Sequence, residues 1–183
     1  METLNLVVGG FLAAVLGLAA FFVQEHSRRK AEKHKVANAL MNEMLHALKF
    51  LAAGHKVLIK ISKGSGSVSA SKISSTYPSR RAIYVSLGPN IGVLSEKAAE
   101  AAVNFDHYIQ SLERDFEFVV GGISPFSNIK PETALKLANT ISTTIECTTI
   151  MVECMANEVG GTGLEATKNK IRGLKLLVEK DIG

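Results

Sequence analysis

The stretch LNLVVGGFLAAVLGLAAFFV, Leu4 to Val23, holds 20 residues without a charge, and Asn5 is its only strongly polar member. At a rise of about 1.5 Å per residue, a helix of that length spans about 30 Å, the thickness of a bilayer's hydrocarbon core. Leu, Val and Phe recur on every side of the wheel, whereas a helix on the surface of a globular core keeps one polar face. The flanks argue against a cleaved secretory signal. Met1 to Thr3 offers only Glu2 in place of a basic leader, and the cations Arg28, Arg29, Lys30, Lys33 and Lys35 follow the run. The expectation is an uncleaved single-pass transmembrane anchor over 1–23.

The same flank predicts orientation. Five Lys and Arg just beyond Val23 place that side in the cytoplasm and the short N-terminus outside the cell (inner) membrane. Cys147 and Cys154 are then expected as free thiols in a reducing compartment. Within the run, Gly9, Ala13 and Gly17 recur every four residues, a spacing that lets a second helix approach closely and makes a homodimer through the anchor the expected pairing.

Working outward, the charge separates by segment. The 183 residues carry 21 Lys and Arg against 17 Asp and Glu, a formal charge of +4. Residues 1–23 carry −1, from Glu2. In 24–63, nine Lys and Arg against three Glu leave +6, while 64–183 holds twelve against thirteen and is −1. The positive excess therefore belongs to the stretch leaving the membrane, where each Lys or Arg near anionic lipid headgroups contributes about 1 kcal/mol. Arg28, Arg29, Lys30, Lys33 and Lys35 are the expected membrane-surface contacts. Nucleic acid is excluded as a partner, because no basic and aromatic interleaving and no recognisable binding module is present. In 96–158 the balance reverses to four cations against ten carboxylates, or −6, which reads as a solvated face or as a receiver for a basic partner.

Beyond the anchor the pattern is helical. No proline interrupts 24–61, and Ala37, Leu40, Met41, Met44, Ala47, Leu48, Leu51, Leu58 and Ile59 share one face of a juxtamembrane and stalk helix. Lys49, Lys56, Lys60 and Lys63 line the other side. Residues 62–79 contain eight serines with Gly64 and Gly66, a composition that cannot bury a core and reads as a loop. The remainder, 80–183, is expected to be a helical region packing on the stalk. A short helix over 80–87 meets a turn at Gly88-Pro89-Asn90. Ser95 is a good N-cap, with Glu96 in the first turn where the helix dipole favours a negative charge. From there to about Val120, Ala98, Ala101, Ala102, Phe105, Tyr108, Ile109, Leu112, Phe116 and Val119 form one stripe. Pro131 suits the first turn of a helix running to about Val159, buried through Ala134, Leu137, Ala138, Ile141, Ile145, Val152, Met155 and Ala156. Its middle, 139–152, is rich in Thr, Ile and Val, so a strand is the alternative, and the long i, i+3/i+4 repeat favours helix. Gly160-Gly161-Thr162-Gly163 breaks it before a last basic helix over about 164–180. The fold class is all-α, a transmembrane helix continuing into a cytoplasmic antiparallel helical bundle.

The chemistry-bearing residues do not assemble into a known catalytic or metal pattern. His55 interrupts the apolar stripe of the stalk, where a core histidine is the ordinary reading and a ligand or pH switch the other. His26, His34 and His46 fall on other faces. Cys147 and Cys154, with Glu146 and Glu153 beside them, lie seven residues apart, too far for a disulfide within one helix. Asp106 and Glu113 repeat that spacing without the Glu-x-x-His motif of a di-iron bundle. Gly64-Ser65-Gly66-Ser67 and Gly160–Gly163 lack the order of a phosphate loop. No cofactor, metal or catalytic residue is assigned.

Tyr77 to Leu112, with Leu87-Gly88, Ile91-Gly92-Val93-Leu94-Ser95 and the Ala/Val/Phe/Tyr helix after it, resembles small uncharacterised bacterial membrane-anchored helical proteins. The resemblance covers about a fifth of the chain. It implies one anchor plus a helical cytoplasmic region and carries over no site residues. Where those proteins often show a Phe-Tyr pair in that helix, this chain has Phe105-Asp106-His107-Tyr108. The expected function is that of a membrane-anchored interaction or scaffold module with an unknown protein partner; the alternative is a membrane-tethered ligand sensor or small enzyme with a site between helices.

Overall fold

The apolar run and the stalk form one helix. In a computed structural model, which describes residues 2–65, 68–69, 86, 88–121, 128–160 and 165–173, and the side chains of these except 2–12, 89, 120 and 121, α1 runs unbroken over Glu2–Ser62. Its 61 residues make a rod of about 90 Å. It ends because Gly64 takes φ +74°, a left-handed conformation in which a side chain would be strained. The amides of Gly64 and Ser65 then donate back to the carbonyls of Ile61 (3.0 Å) and Lys60 (2.9 Å), satisfying the last turn.

Two further long helices complete the core, α2 over Glu96–Gly121 and α3 over Pro131–Val159. A 3₁₀ segment, Gly88–Val93, precedes α2 where a simple turn is expected from Gly88-Pro89-Asn90. It buries Ile91 and Leu94 against the helices. A further helical stretch covers 165–173, burying Thr167 and Ile171; the Thr167 hydroxyl lies 3.8 Å from Met41 Sδ. The expected short helix over 80–87 and the far end of the last helix lie outside the described residues, apart from the helical Ser86. Among the described residues there is no strand. The one bridge pairs Ser69 with Asn128, closing the end of the bundle remote from the N-terminus.

α3 is the central element. α1 and α2 each pack along it and hardly touch one another. Lys33 of α1 meets Glu158, while Gly54 lies against Ile141, so α1 and α3 are antiparallel. Ser95 also meets Glu158 while Tyr108 reaches Cys147, so α2 and α3 are antiparallel too. α1 and α2 are therefore parallel, because the long connection from 63 to 95 returns the chain to the end where the bundle starts.

Every residue read onto the stalk stripe is buried, as are all eight of the α3 stripe. The Thr-rich middle of α3 stays helical because its apolar residues are buried at helical spacing. Thr140, Thr144 and Thr149 donate to the carbonyls four residues back at 3.2, 3.0 and 2.8 Å, so their hydroxyls are satisfied without leaving the helix. Tyr108 and Val119 sit on the edge of the α2 stripe, Tyr108 exposed and Val119 half-buried.

Candidate functional site

Burial along α1 begins at Val36, and the helix before that point projects from the bundle. Val15, Leu16, Leu18, Phe21, Phe22 and Val23 are 47–67% exposed, although this is among the most apolar sequence in the chain. A contiguous apolar surface of that kind marks an interaction site rather than ordinary scatter. Among the described residues no helix is long and apolar enough to cross a membrane. The side chains of 4–12, the first part of the uncharged run, lie outside the described residues. Ala13 and Gly17 are exposed, and a Cβ on Gly17 would meet nothing within 4 Å; the side-chain surroundings of Gly9 lie outside the described residues.

The basic residues beyond this segment do not act alike. Arg29 Nε donates to Glu25 at 2.8 Å and Arg28 Nε lies 3.5 Å from the same carboxylate, both pairs on the surface of one helix. The hydrogen bond from Arg29, with the charge of both arginines, outweighs desolvation and holds the Glu25 carboxyl below its ordinary value. Lys30 and Lys35 are exposed. Lys33 differs. Its angular position is that of the buried stripe one turn before Val36, and its ammonium lies 2.7 Å from Glu158 Oε1. Of the five cations expected at a membrane surface, four stay on the outside and Lys33 is turned into the bundle.

Glu158 is the centre of a junction between all three long helices. Its Oε1 also accepts the Ser95 backbone amide at 2.7 Å, and its Oε2 accepts the Ser95 hydroxyl at 2.7 Å. Ser95 Oγ in turn receives the Ala98 amide at 3.4 Å, the capping contact expected from its position before Glu96. Burial would raise the Glu158 carboxyl. The Lys33 ammonium and the two Ser95 donors outweigh it, and the group sits below its ordinary value. No sequence signal pairs Glu158 with Ser95, 63 positions earlier.

A groove of about 440 Å³ opens between α2 and α3, lined by Lys97, Glu100, Tyr108, Cys147, Ile150 and Cys154 among others. Both cysteines are free and half-buried there, and Cys147, which lines the same groove as Tyr108, holds the phenol above its ordinary value. His55 is buried in α1, as its place in the stripe implies, and does not line this groove. Thr148 Oγ1 is buried with no hydrogen-bond partner among the described residues. Among those residues no three His, Cys, Asp or Glu side chains converge as metal ligands.

The chain matches no family model, no curated protein and no solved structure.

Proposed function

We propose that the chain is a single-pass membrane protein whose helical bundle serves as an interaction or scaffold module at the cytoplasmic face. The observation that carries this reading is the exposure of Val15, Leu16, Leu18, Phe21, Phe22 and Val23 on a helix that continues without a break into the packed stalk. A bilayer is the environment that covers such a helix on all sides at once. The exposed cations Arg28, Arg29, Lys30 and Lys35 follow directly, at the height of anionic headgroups, and favour the cytoplasmic side for the bundle. Pairing of two anchors through Gly9, Ala13 and Gly17 belongs to the same reading.

The orientation is tested on the native thiols. In sealed inverted inner-membrane vesicles, a membrane-impermeant maleimide labels Cys147 and Cys154; in intact spheroplasts it does not. Labelling from the outer side would overturn the orientation. Gly9→Leu with Gly17→Leu lowers self-association in a membrane two-hybrid assay, and an unchanged signal from a positive wild type would remove anchor pairing.

The sensor or enzyme reading has one observation in its favour, the α2/α3 groove with its two thiols and phenol. Its walls present no general base paired with a nucleophile, so the interaction reading is preferred.

A further inference from the structure

Three sulfur side chains line the α2/α3 groove, and all three come from α3. Cys147, Met151 and Cys154 follow at i, i+4 and i+7, which keeps them within about 60° of one another around the helix. Both thiols are free and half-buried, and Met151, although only 7% exposed, forms part of the groove wall between them. Thiolate and thioether donors together are the ligand type that selects a soft monovalent ion.

Spacing decides which of these sulfurs can share an ion. With metal–sulfur bonds of about 2.3 Å, the value for zinc thiolates, two sulfurs on one ion lie no more than about 4.6 Å apart. Cys147 and Cys154 are separated by about 10 Å along the helix axis, beyond the reach of two short side chains. Residues four apart have Cβ atoms only about 6 Å apart, and a methionine with three rotatable bonds closes that gap. Long side chains on a helix lean toward its N-terminus, a preference that carries Met151 back over Cys147 rather than forward over Cys154.

The hard donors stand further off. Tyr108 faces Cys147 across the groove, and Glu100, the carboxylate on the same wall, comes eight residues earlier on α2, about 12 Å along its axis. His107, next to Tyr108 in the chain, is exposed and does not line the groove. Zinc or magnesium would want imidazole, several thiolates or oxygen donors, and the surroundings of Cys147 offer sulfur.

We infer that Cys147 and Met151 form a copper(I) site, the ion lying between the Cys147 thiolate and the Met151 thioether in the wall of the α2/α3 groove. On binding, the Cys147 thiol releases its proton to solvent, and the thiolate charge cancels that of the monovalent ion. The occupied site is then neutral, which suits half-buried surroundings; a divalent ion would leave a charge uncompensated there. Cys154 is not a ligand. The site does not depend on α1 entering a bilayer, and its failure would leave the membrane reading as it stands.

Competition with bicinchoninate, a coloured copper(I) chelator, tests the site on the purified full chain in detergent, without oxygen and with a reductant. The wild type is expected to withdraw one equivalent of copper(I) from the chelator. Cys147→Ser and Met151→Leu should each weaken binding tenfold or more, while Cys154→Ser stays within about threefold of wild type. Met151→Leu conserves volume, and helical circular dichroism of each variant checks that the bundle is intact. No withdrawal of copper by the wild type would overturn the site. Weakening by both cysteine variants with Met151→Leu unaffected would show binding by thiols alone and overturn the assigned pair. Weakening by Cys154→Ser with Cys147→Ser unaffected, or equal weakening by all three, would overturn it too.

Discussion

Glu158 holds its carboxylate largely buried, yet with three donors at 2.7 Å from two other elements, and that arrangement fixes how the molecule responds to acid. Charge-assisted hydrogen bonds contribute about 1.5–3 kcal/mol each when made and leave a comparable penalty when one side is removed. Glu158→Gln is therefore expected to destabilise the bundle by roughly 1–3 kcal/mol, read by denaturant unfolding of the detergent-solubilised full chain at pH 7. The folded carboxyl titrates below its unfolded value, so its contribution is full above the unfolded value and disappears as pH falls through the folded one. Wild type should lose stability from about pH 4.5 downward more steeply than Glu158→Gln. Parallel acid profiles for the two proteins would contradict this assignment. Lys33→Met should couple with Glu158→Gln in a double-mutant cycle, whereas Lys35→Met, exposed on the opposite side of α1, should not. At this scale the sequence revealed half of the junction. Ser95 is legible as a cap because capping is local, but its carboxylate partner is a tertiary contact with no periodic trace. Lys33 reads as one more cation of a basic run, and only its angular position at the head of the apolar stripe separates it from Lys30 and Lys35.

The helices were the most legible level, because buried faces repeat at 3.6 residues and their ends carry chemistry. Pro131 opens α3, and Gly160, at φ +67°, closes it with its amide on the Ala156 carbonyl at 3.0 Å. The strand alternative for 139–152 rested on Thr, Ile and Val having two branches at Cβ. Burial of one face at helical spacing overrides that preference, and the Thr140, Thr144 and Thr149 hydroxyls are satisfied by bonding within the helix. Removing them one at a time is informative: Thr149→Val loses one buried hydrogen bond and should keep α3 helical while changing stability by less than about 1.5 kcal/mol. Loss of helical circular dichroism in that variant would overturn the explanation. The end of α1 is more exacting. Gly64→Ala forces a side chain into a left-handed backbone and should cost about 1 kcal/mol by denaturant unfolding, although a Cβ there would meet nothing within 4 Å. The 3₁₀ segment Gly88–Val93 was not legible, since its burial of Ile91 and Leu94 depends on the helices beneath it. Nor was the parallel course of α1 and α2, which follows from a long connection whose path no local pattern dictates.

Taken whole, the molecule is a rod and a bundle sharing one helix. About half of α1 packs against α3; the other half carries exposed Val15, Leu16, Leu18, Phe21, Phe22 and Val23, then a collar of cations. Composition alone blends these parts into one basic, apolar chain at 46% hydrophobic and +4, yet the greasiest stretch and the cations follow one another along a single element. Function was least legible, because the residues that carry chemistry, His55, Cys147, Cys154 and Tyr108, are dispersed over a core and a groove rather than gathered at one centre. Whether α1 enters a bilayer decides where the bundle and its groove work. Alkaline carbonate extraction of membranes from cells producing the full chain tests this most directly, because it strips proteins held by charge and leaves those held by hydrocarbon. A membrane-spanning α1 keeps the chain in the membrane pellet until detergent releases it; recovery in the alkaline supernatant would contradict a membrane anchor.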